Sequence, residues 1–427
     1  MLSAGLPLDD WLVHLETLSP RTIDLGLERV KSVLSRLGLE RPRRVFHVGG
    51  TNGKGSSVIM LQALLRSSGE RVGSYTSPHI LDYNERIAIN GEPVSDASIV
   101  AAFEAIEAVR EDVALTYFEF GTLAALVVFA GADVDAAILE VGMGGRLDAV
   151  NAVEPDACLI TNVTIDHCDW LGTDIETIAR EKAGIMRPGK PAVFGAIPVP
   201  QAIVDHAADI GAALTLAGRD FTWSRDHRHW TWVGRGCELP DLKPPALAGE
   251  HQLGNAAGVL ALVEAAGLDG LLETERVNSA FGALRLDGRM QRVDAGGSWL
   301  LDVAHNPAAA DVLAETLRAE PHAGRTVAVI GMLDDKDVHG VIAPLVDLVD
   351  SWIAVTADTP RAIPAAELAR QIANFGDSAC LIAATVSDAI DCAREFATPP
   401  DRILVTGSFY VVGPVLRELE LYSRRLS

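Results

Sequence analysis

Apolar positions set the first reading of this chain. Leu12, Leu15 and Leu18 precede a break at Pro20, and Leu25, Val30, Leu34 and Leu37 then recur near helical period, so Asp9 to Leu39 reads as helices. Short β-branched runs and helix-length segments alternate from there on. Arg44 to Val48 predicts a strand, Gly49 to Gly55 a glycine-rich loop and Ser56 to Ser67 a helix; Val72 to Tyr75 predicts another strand. Val134 to Glu140 and Ala157 to Thr161 are apolar runs of the kind buried on both faces of a parallel sheet. Both end in polar clusters, where such sheets bind ligands. A helix is expected over Glu176 to Ile185, and the aromatic stretch Phe221 to Val233 predicts a hairpin added to the main sheet. Near Leu286 to Arg292 the alternation restarts, with strand-like runs at Trp299–Val303, Thr326–Ile330, Trp352–Val355, Cys380–Ala383 and Ile403–Val405. That pattern predicts a second, smaller doubly wound α/β domain after a boundary at about residue 286.

The length of 427 residues agrees with this division, at roughly 150 residues per domain. Thirty-six Lys and Arg against 58 Asp and Glu give a net charge of −22, which excludes a broad basic surface, so neither nucleic acid nor a membrane is expected as a partner. Anionic ligands must be held by local devices. The five cysteines, Cys158, Cys168, Cys237, Cys380 and Cys392, form no CxxC pair and point to a reducing compartment, so a cytoplasmic protein is expected. The N-terminus has no basic leader pattern, and the most apolar stretch, Leu123 to Leu139, is broken by Asp133 and Asp135, so no signal peptide or membrane span is expected.

The strongest local signal is Gly49-Gly50-Thr51-Asn52-Gly53-Lys54-Gly55-Ser56-Ser57. Glycines let backbone N–H groups converge on phosphate oxygens, the following helix start adds positive potential, and Lys54 supplies a point charge. The run departs from GxxxxGK[ST], because Gly55 separates Lys54 from Ser56. Three further strand ends carry a hydroxyl, a carboxylate and an imidazole: Ser77 in Thr76-Ser77-Pro78-His79, Glu140 before Gly142-Met143-Gly144-Gly145-Arg146, and His167 after Asp166. Together they suit one hard cation beside the phosphate loop. Lys182, in Glu181-Lys182-Ala183-Gly184, reads by spacing alone as a solvated helix-face residue. Leu301-Asp302-Val303-Ala304-His305-Asn306-Pro307 ends a strand and opens a helix, a place for a ribose or base, and Arg289 after Gly288 suits a phosphate.

In order, HVGGTNGKGS, TSPHI, NERI, TYFEFGT, ILEVGMGGRLDAVN, IDHCDWLG, EKAGI, GRMQ, LDVAHNP, GMLDDKD and VTGSFY make a set that resembles the folylpolyglutamate synthase family of the Mur-type ATP-dependent ligases. The resemblance runs from about Thr22 to about Tyr410, and TIDLGLERV at Thr22 to Val30 looks closest to the family's bifunctional bacterial members. It implies a Mur-ligase-like P-loop ATPase domain with a mostly parallel sheet and the pterin site over residues 1–286, and a smaller Rossmann-like glutamate ligase domain over 287–427. The implied activity joins L-glutamate to dihydropteroate and further glutamates to tetrahydrofolate: ATP phosphorylates the acid, the amine attacks the acyl phosphate, and phosphate leaves. A monofunctional folylpolyglutamate synthase, another Mur-type amino-acid ligase and a P-loop nucleotide switch are the competing readings.

The resemblance also implies residue roles. Thr51, Asn52, Gly53, Lys54, Gly55 and Ser56, with Asn255, Arg289, Asp302 and His305, would bind ATP, which would lie between the two domains. Ser77, Glu140 and His167 would hold Mg²⁺, and Lys182 matches a position carbamylated in the superfamily, whose new carboxylate helps a second Mg²⁺. Lys54, Lys182 and His167 are thus the expected catalytic set. Ile23, Asp24, Leu25, Thr116, Tyr117, Phe118, Glu119, Leu147, Asp148 and Ala149 would receive the pterin-bearing acid, an aromatic pair and carboxylates suiting a flat heterocycle with donor edges. Arg86 or Arg361 is the expected binder of glutamate's carboxylates, and the protein is expected to act as a monomer.

Overall fold

The structure, a computed structural model, describes residues 5–19, 24–320, 322–376 and 379–421. Pro20 and Ile23, the expected helix break and one expected pterin contact, lie outside the described residues. Two compact units form. The first takes the chain through Ala246 together with Gln252–Leu284; the second takes Leu247–His251 and the chain from Arg285 onward.

In the first unit, helices α1 (Leu8–Leu18) and α2 (Glu28–Leu37) lead into an eight-stranded sheet. Its strands are β1 (Arg44–Gly49), β2 (Val72–Tyr75), β3 (Ile87–Ile89), β4 (Glu92–Pro93), β5 (Ala136–Glu140), β6 (Ala157–Ile160), β7 (Pro191–Phe194) and β8 (Ala213–Leu216), in spatial order β4-β3-β2-β5-β1-β6-β7-β8. All pairs are parallel except those made by β3 and β4. The central strands are buried almost throughout, as their unbroken apolar runs predict. From β1 the chain moves toward β2, and from β6 it moves toward β7, so the carboxyl ends of β1 and β6 flank a topological switch point. Helix α3 (Lys54–Arg66) follows β1; α4 (Asp96–Arg110) precedes α5 (Tyr117–Gly131), and α6 (Cys168–Leu171) and α7 (Ile175–Ala183) follow β6. The apolar stretch from Leu123 becomes buried α5 and then β5, and among the described residues no helix is long and apolar enough to cross a membrane.

The predicted aromatic hairpin exists, but it does not extend the main sheet. β9 (Thr222–Asp226) and β10 (His229–Val233) pair antiparallel and join β11 (Glu238–Leu242) in a separate three-stranded sheet. The reason is the burial of alternate tryptophans: Trp230 and Trp232 turn inward, and Trp232 Nε1 donates to Ala257 O of the helix His251–Ala265 at 3.2 Å.

The second unit has a six-stranded sheet in the order β12-β13-β17-β14-β15-β16. Its strands are β12 (Gln291–Asp294), β13 (Ser298–Leu301), β14 (Thr326–Ile330), β15 (Ser351–Val355), β16 (Ala379–Ala383) and β17 (Arg402–Thr406), parallel apart from the β12–β13 pair. Leu300, Ala328, Ile330, Trp352 and Leu404 lie in its core. The mostly parallel α/β class expected of both halves is the observed one.

Candidate active site

The phosphate loop leaves β1 and is fastened to the end of β6. Thr51 N donates to Asn162 O at 3.1 Å, Asn52 N to Asn162 Oδ1 at 3.0 Å, and Thr161 Oγ1 to Asn52 O at 2.6 Å. Thr51 Oγ1 donates to Thr164 O at 3.1 Å and accepts from Thr164 N at 3.0 Å. The amides of Thr51 and Asn52 therefore shape the loop, and the donors aimed outward come from the first turn of α3. Gly53, at φ 82°, is its N-cap and has no side chain to cap the first turn. A helix N-terminus opened by glycine is a natural anion site. A Cβ on Gly53 would stand 2.3 Å from Asn255 Oδ1, so the helix His251–Ala265 brings Asn255 directly against the loop. Gln252, one turn earlier on that helix, donates to Ser56 Oγ at 3.3 Å and accepts from Asn255 Nδ2 at 3.0 Å. Sequence reasoning missed Gln252; its spacing of three from Asn255 on one helix face was the available signal.

Two lysines meet at one carbonyl. Lys54 Nζ donates to Gly50 O at 3.1 Å and to Thr51 O at 3.0 Å, and Lys182 Nζ donates to Gly50 O at 3.1 Å. The reading of Lys182 as a solvated residue is wrong: it is 4% exposed. The cause is the last turn of α7, where the backbone of Glu181 and Lys182 packs so closely on Gly145 that a Cβ there would lie 2.7 Å from Glu181 O. Burial first and the charge of Lys54 second push the Lys182 ammonium down to about 7, against the opposing pull of Asp166 and Asp148.

Ser77 and Glu140 also come together, with Ser77 N donating to Glu140 Oε2 at 3.2 Å. The same oxygen lies 3.8 Å from where a Cβ on Gly55 would stand, so the buried carboxylate faces the first turn of α3. His167, at φ 54°, sits on the loop before α6 beside Asp166, Nε2 to Oδ2 3.9 Å. Among the described residues no three His, Cys, Asp or Glu side chains cluster as a metal site. The hydroxyl of Ser77 and the carboxylate of Glu140 are nonetheless hard oxygen donors of the type Mg²⁺ takes.

The expected acid-binding residues gather around the start of α5. Thr116 and Glu119 form a capping box, Thr116 Oγ1 accepting from Glu119 N at 3.3 Å and Glu119 Oε2 from Thr116 N at 2.7 Å. Arg29 of α2 bridges Glu119 Oε1 at 2.9 Å and Asp24 Oδ2 at 3.0 Å, so Glu119 and Asp24 are engaged in holding the wall together. Half-buried Tyr117 and Phe118 pack edge-on to Tyr83, 5.8 Å between ring centres, and tilted to Tyr75 at 5.9 Å. Leu25 and Leu147 are half-buried and Ala149 is buried. Asp148 accepts from Met143 N at 2.8 Å and Val150 N at 3.0 Å, yet burial pushes its carboxyl up to about 6.

Arg86 lies over Tyr83 and Tyr117, 5.4 and 5.6 Å from their ring centres, and its Nε donates to His79 Nδ1 at 2.8 Å. Burial and this guanidinium push His79 down to about 3, so it is the neutral acceptor. No ion pair joins Arg86 to a carboxylate among the described residues. Arg361 is exposed and offers its backbone oxygen to Asp334 N at 2.9 Å.

In the second unit Asp302 is half-buried and accepts from Met290 N at 2.9 Å and Ala304 N at 2.8 Å. Arg289 lies 5.1 Å over the Phe409 ring, and His305 lies 5.7 Å from the same ring with Nδ1 2.8 Å from Val303 O. Phe409, absent from the sequence-derived set, is the shared platform.

Two family models match: the Mur ligase middle domain over residues 48–208 and the Mur ligase glutamate ligase domain over residues 288–409. Fold and site together thus define a Mur ligase. A dihydrofolate synthase/folylpolyglutamate synthase of Escherichia coli (strain K12) is 41% identical over 418 residues, 98% of this chain and 96% of the relative. The structure of E. coli FolC in complex with DHPP and ADP is 40% identical with a TM-score of 0.92, covering 99% of each chain. A bifunctional folylpolyglutamate synthase/dihydrofolate synthase with Mn, AMPPNP and L-glutamate bound is 43% identical with a TM-score of 0.90, covering 98% of this chain and 99% of that one. The chain belongs to the dihydrofolate synthase/folylpolyglutamate synthase family.

Proposed function

We propose that this protein joins L-glutamate through an amide bond to dihydropteroate, giving dihydrofolate, and adds further glutamates to tetrahydrofolate, with ATP converted to ADP and phosphate. The observation that carries the reading is the meeting of Lys54 and Lys182 at Gly50 O beside the glycine-opened start of α3, with Glu140 facing the same turn. A carboxylate attacked by an amine cannot expel one of its oxygens until that oxygen has become part of an acyl phosphate, from which it leaves as phosphate. Transfer of the terminal phosphoryl group to the acid is mostly positioning and charge neutralisation. The amides of Lys54, Gly55 and Ser56 and the Lys54 ammonium supply both to the phosphates. The attacking glutamate amine then forms a tetrahedral adduct, which collapses to the amide and inorganic phosphate.

Mg²⁺, when bound, supplies further neutralisation of phosphate charge, and Ser77, Glu140 and His167 would hold it. For the acid, Tyr117 and Phe118 would stack on the pterin while Asp148 accepts from its amino-pyrimidine edge. Asn255, Arg289, Asp302 and His305 are our assigned ATP residues. Lys182 we read as a carbamate. Held near 7, it offers unprotonated amine at neutral pH; that amine adds to CO₂, loses one proton and leaves an N-carboxylate. The change turns a cation repelled by Lys54 into an anion attracted to it and gives a second Mg²⁺ a ligand.

Phosphate release by the purified protein tests the reading. It should require ATP, Mg²⁺, L-glutamate and a pteroate or folate acid together, and Glu140→Gln should raise the Mg²⁺ concentration needed for half activity several-fold, since one ligand charge is lost. Release that ignores the acid, or an unchanged Mg²⁺ titration, contradicts it.

A further inference from the structure

The stretch Asn84-Glu85-Arg86-Ile87 closes a loop that starts beside the expected metal ligand. Thr76 N donates to Arg86 O at 2.9 Å and Thr76 Oγ1 to Glu85 O at 3.2 Å, so the chain departs at Thr76 and returns at Arg86. Between those points one carboxylate gathers the backbone. Glu85 Oε1 accepts from Leu81 N and Asp82 N, and Oε2 from Ile80 N, all at 2.7 Å. Charge-assisted bonds of this kind are roughly twice as strong as neutral ones. On the far side Asn84 Nδ2 donates to Val94 O at 2.8 Å and Asp96 Oδ1 at 2.9 Å. Ser77 stands at the start of the loop, His79 within it and Arg86 at its end.

The arrangement also decides where charge goes. Glu85 is the chain neighbour of Arg86, yet both of its oxygens are spent on amides. Arg86 is left with the hydroxyl of Tyr75, the faces of Tyr83 and Tyr117 and the imidazole of His79. A guanidinium so enclosed, with no carboxylate paired to it among the described residues, is costly until an anion arrives.

We propose that Glu85 is a positioning residue: by collecting the amides of Ile80, Leu81 and Asp82 it holds Ser77 and Arg86 at the two ends of one rigid loop and keeps Arg86 open for a substrate carboxylate. This rests on the ligase reading above for the identity of that substrate. Glu85→Gln keeps the shape but sets an NH₂ group against one of the three amides. Hydrogen exchange on the full chain and steady-state kinetics read the result. We expect exchange at residues 80–82 to quicken at least about tenfold, and KM for L-glutamate or the pteroate acid to rise about tenfold. KM for ATP should stay within about twofold, because the phosphate loop is fastened by residues 161–164 and by Asn255 instead. Unchanged exchange, or a fall in kcat with every KM unchanged, overturns the proposal. If Glu85→Gln does not fold, Glu85→Asp, which keeps the charge on a shorter arm, takes the same comparison. A wild-type protein that binds ATP but ligates nothing would remove the ligase reading, and the exchange comparison would still decide whether Glu85 holds the loop.

Discussion

Lys182 is buried where an ammonium is least welcome, sharing a carbonyl with Lys54. Either it stays partly neutral or it gains a negative group, and carbamylation satisfies both pressures. Lys182→Ala should lose activity by about 100-fold or more and recover part of it with added short carboxylates, measured as phosphate release; full activity without rescue contradicts the carbamate. Nothing in the spacing of Glu181-Lys182-Ala183-Gly184 announces this burial, since it depends on the close approach of Gly145 from a distant part of the chain. Only the family resemblance pointed to it. Asp148 makes a second residue-scale prediction. Its carboxyl is raised to about 6 by burial, so it is protonated below that pH and an acceptor above it. Affinity for the pterin acid should therefore climb as pH rises through about 6, and Asp148→Asn should flatten that step in a binding titration.

At the scale of elements, the sequence was most legible where periodicity and burial coincide. The strands β1, β2, β5 and β6 read as apolar runs ending in polar residues, and the site lies at those ends. The hairpin β9–β10 was legible as a hairpin but not as a separate sheet, because its destination is set by Trp230 and Trp232 packing inward, which no local pattern encodes. The strand β12, Gln-Arg-Val-Asp, was missed, being polar and short at a sheet edge. The capping box at Thr116 and Glu119 is a sequence signature, yet the role of Arg29 in tying α2 to α5 through Glu119 is visible only in three dimensions. Arg29→Ala strands a buried carboxylate, and removal of one partner from such a pair costs about 3 kcal/mol, less here because Arg29 is partly exposed. A fall of several degrees in melting temperature and a raised KM for the pterin acid, with ATP affinity unchanged, are the expected outcomes.

The whole molecule carries a charge of −22, and its acid substrates gain negative charge with each glutamate added. Binding must therefore overcome a repulsive field by close contacts, the role proposed above for Arg86 and the start of α3. Screening that field helps: raising salt from about 20 to 200 mM, which shortens the Debye length from about 20 to 7 Å, should lower KM for a polyglutamylated acceptor more than for the monoglutamate. An unbroken increase of both KM values with salt would contradict this.

The central claim is that one site ligates glutamate to two different acids. The most direct measurement is phosphate release and product mass from a single purified preparation with ATP, Mg²⁺ and L-glutamate, offering dihydropteroate, tetrahydrofolate or both. Release with each acid alone, a glutamate-extended product from each, and mutual competition when both are present are the predicted results. Turnover with neither acid, or rates that simply add when both are supplied, would contradict a shared ligase site.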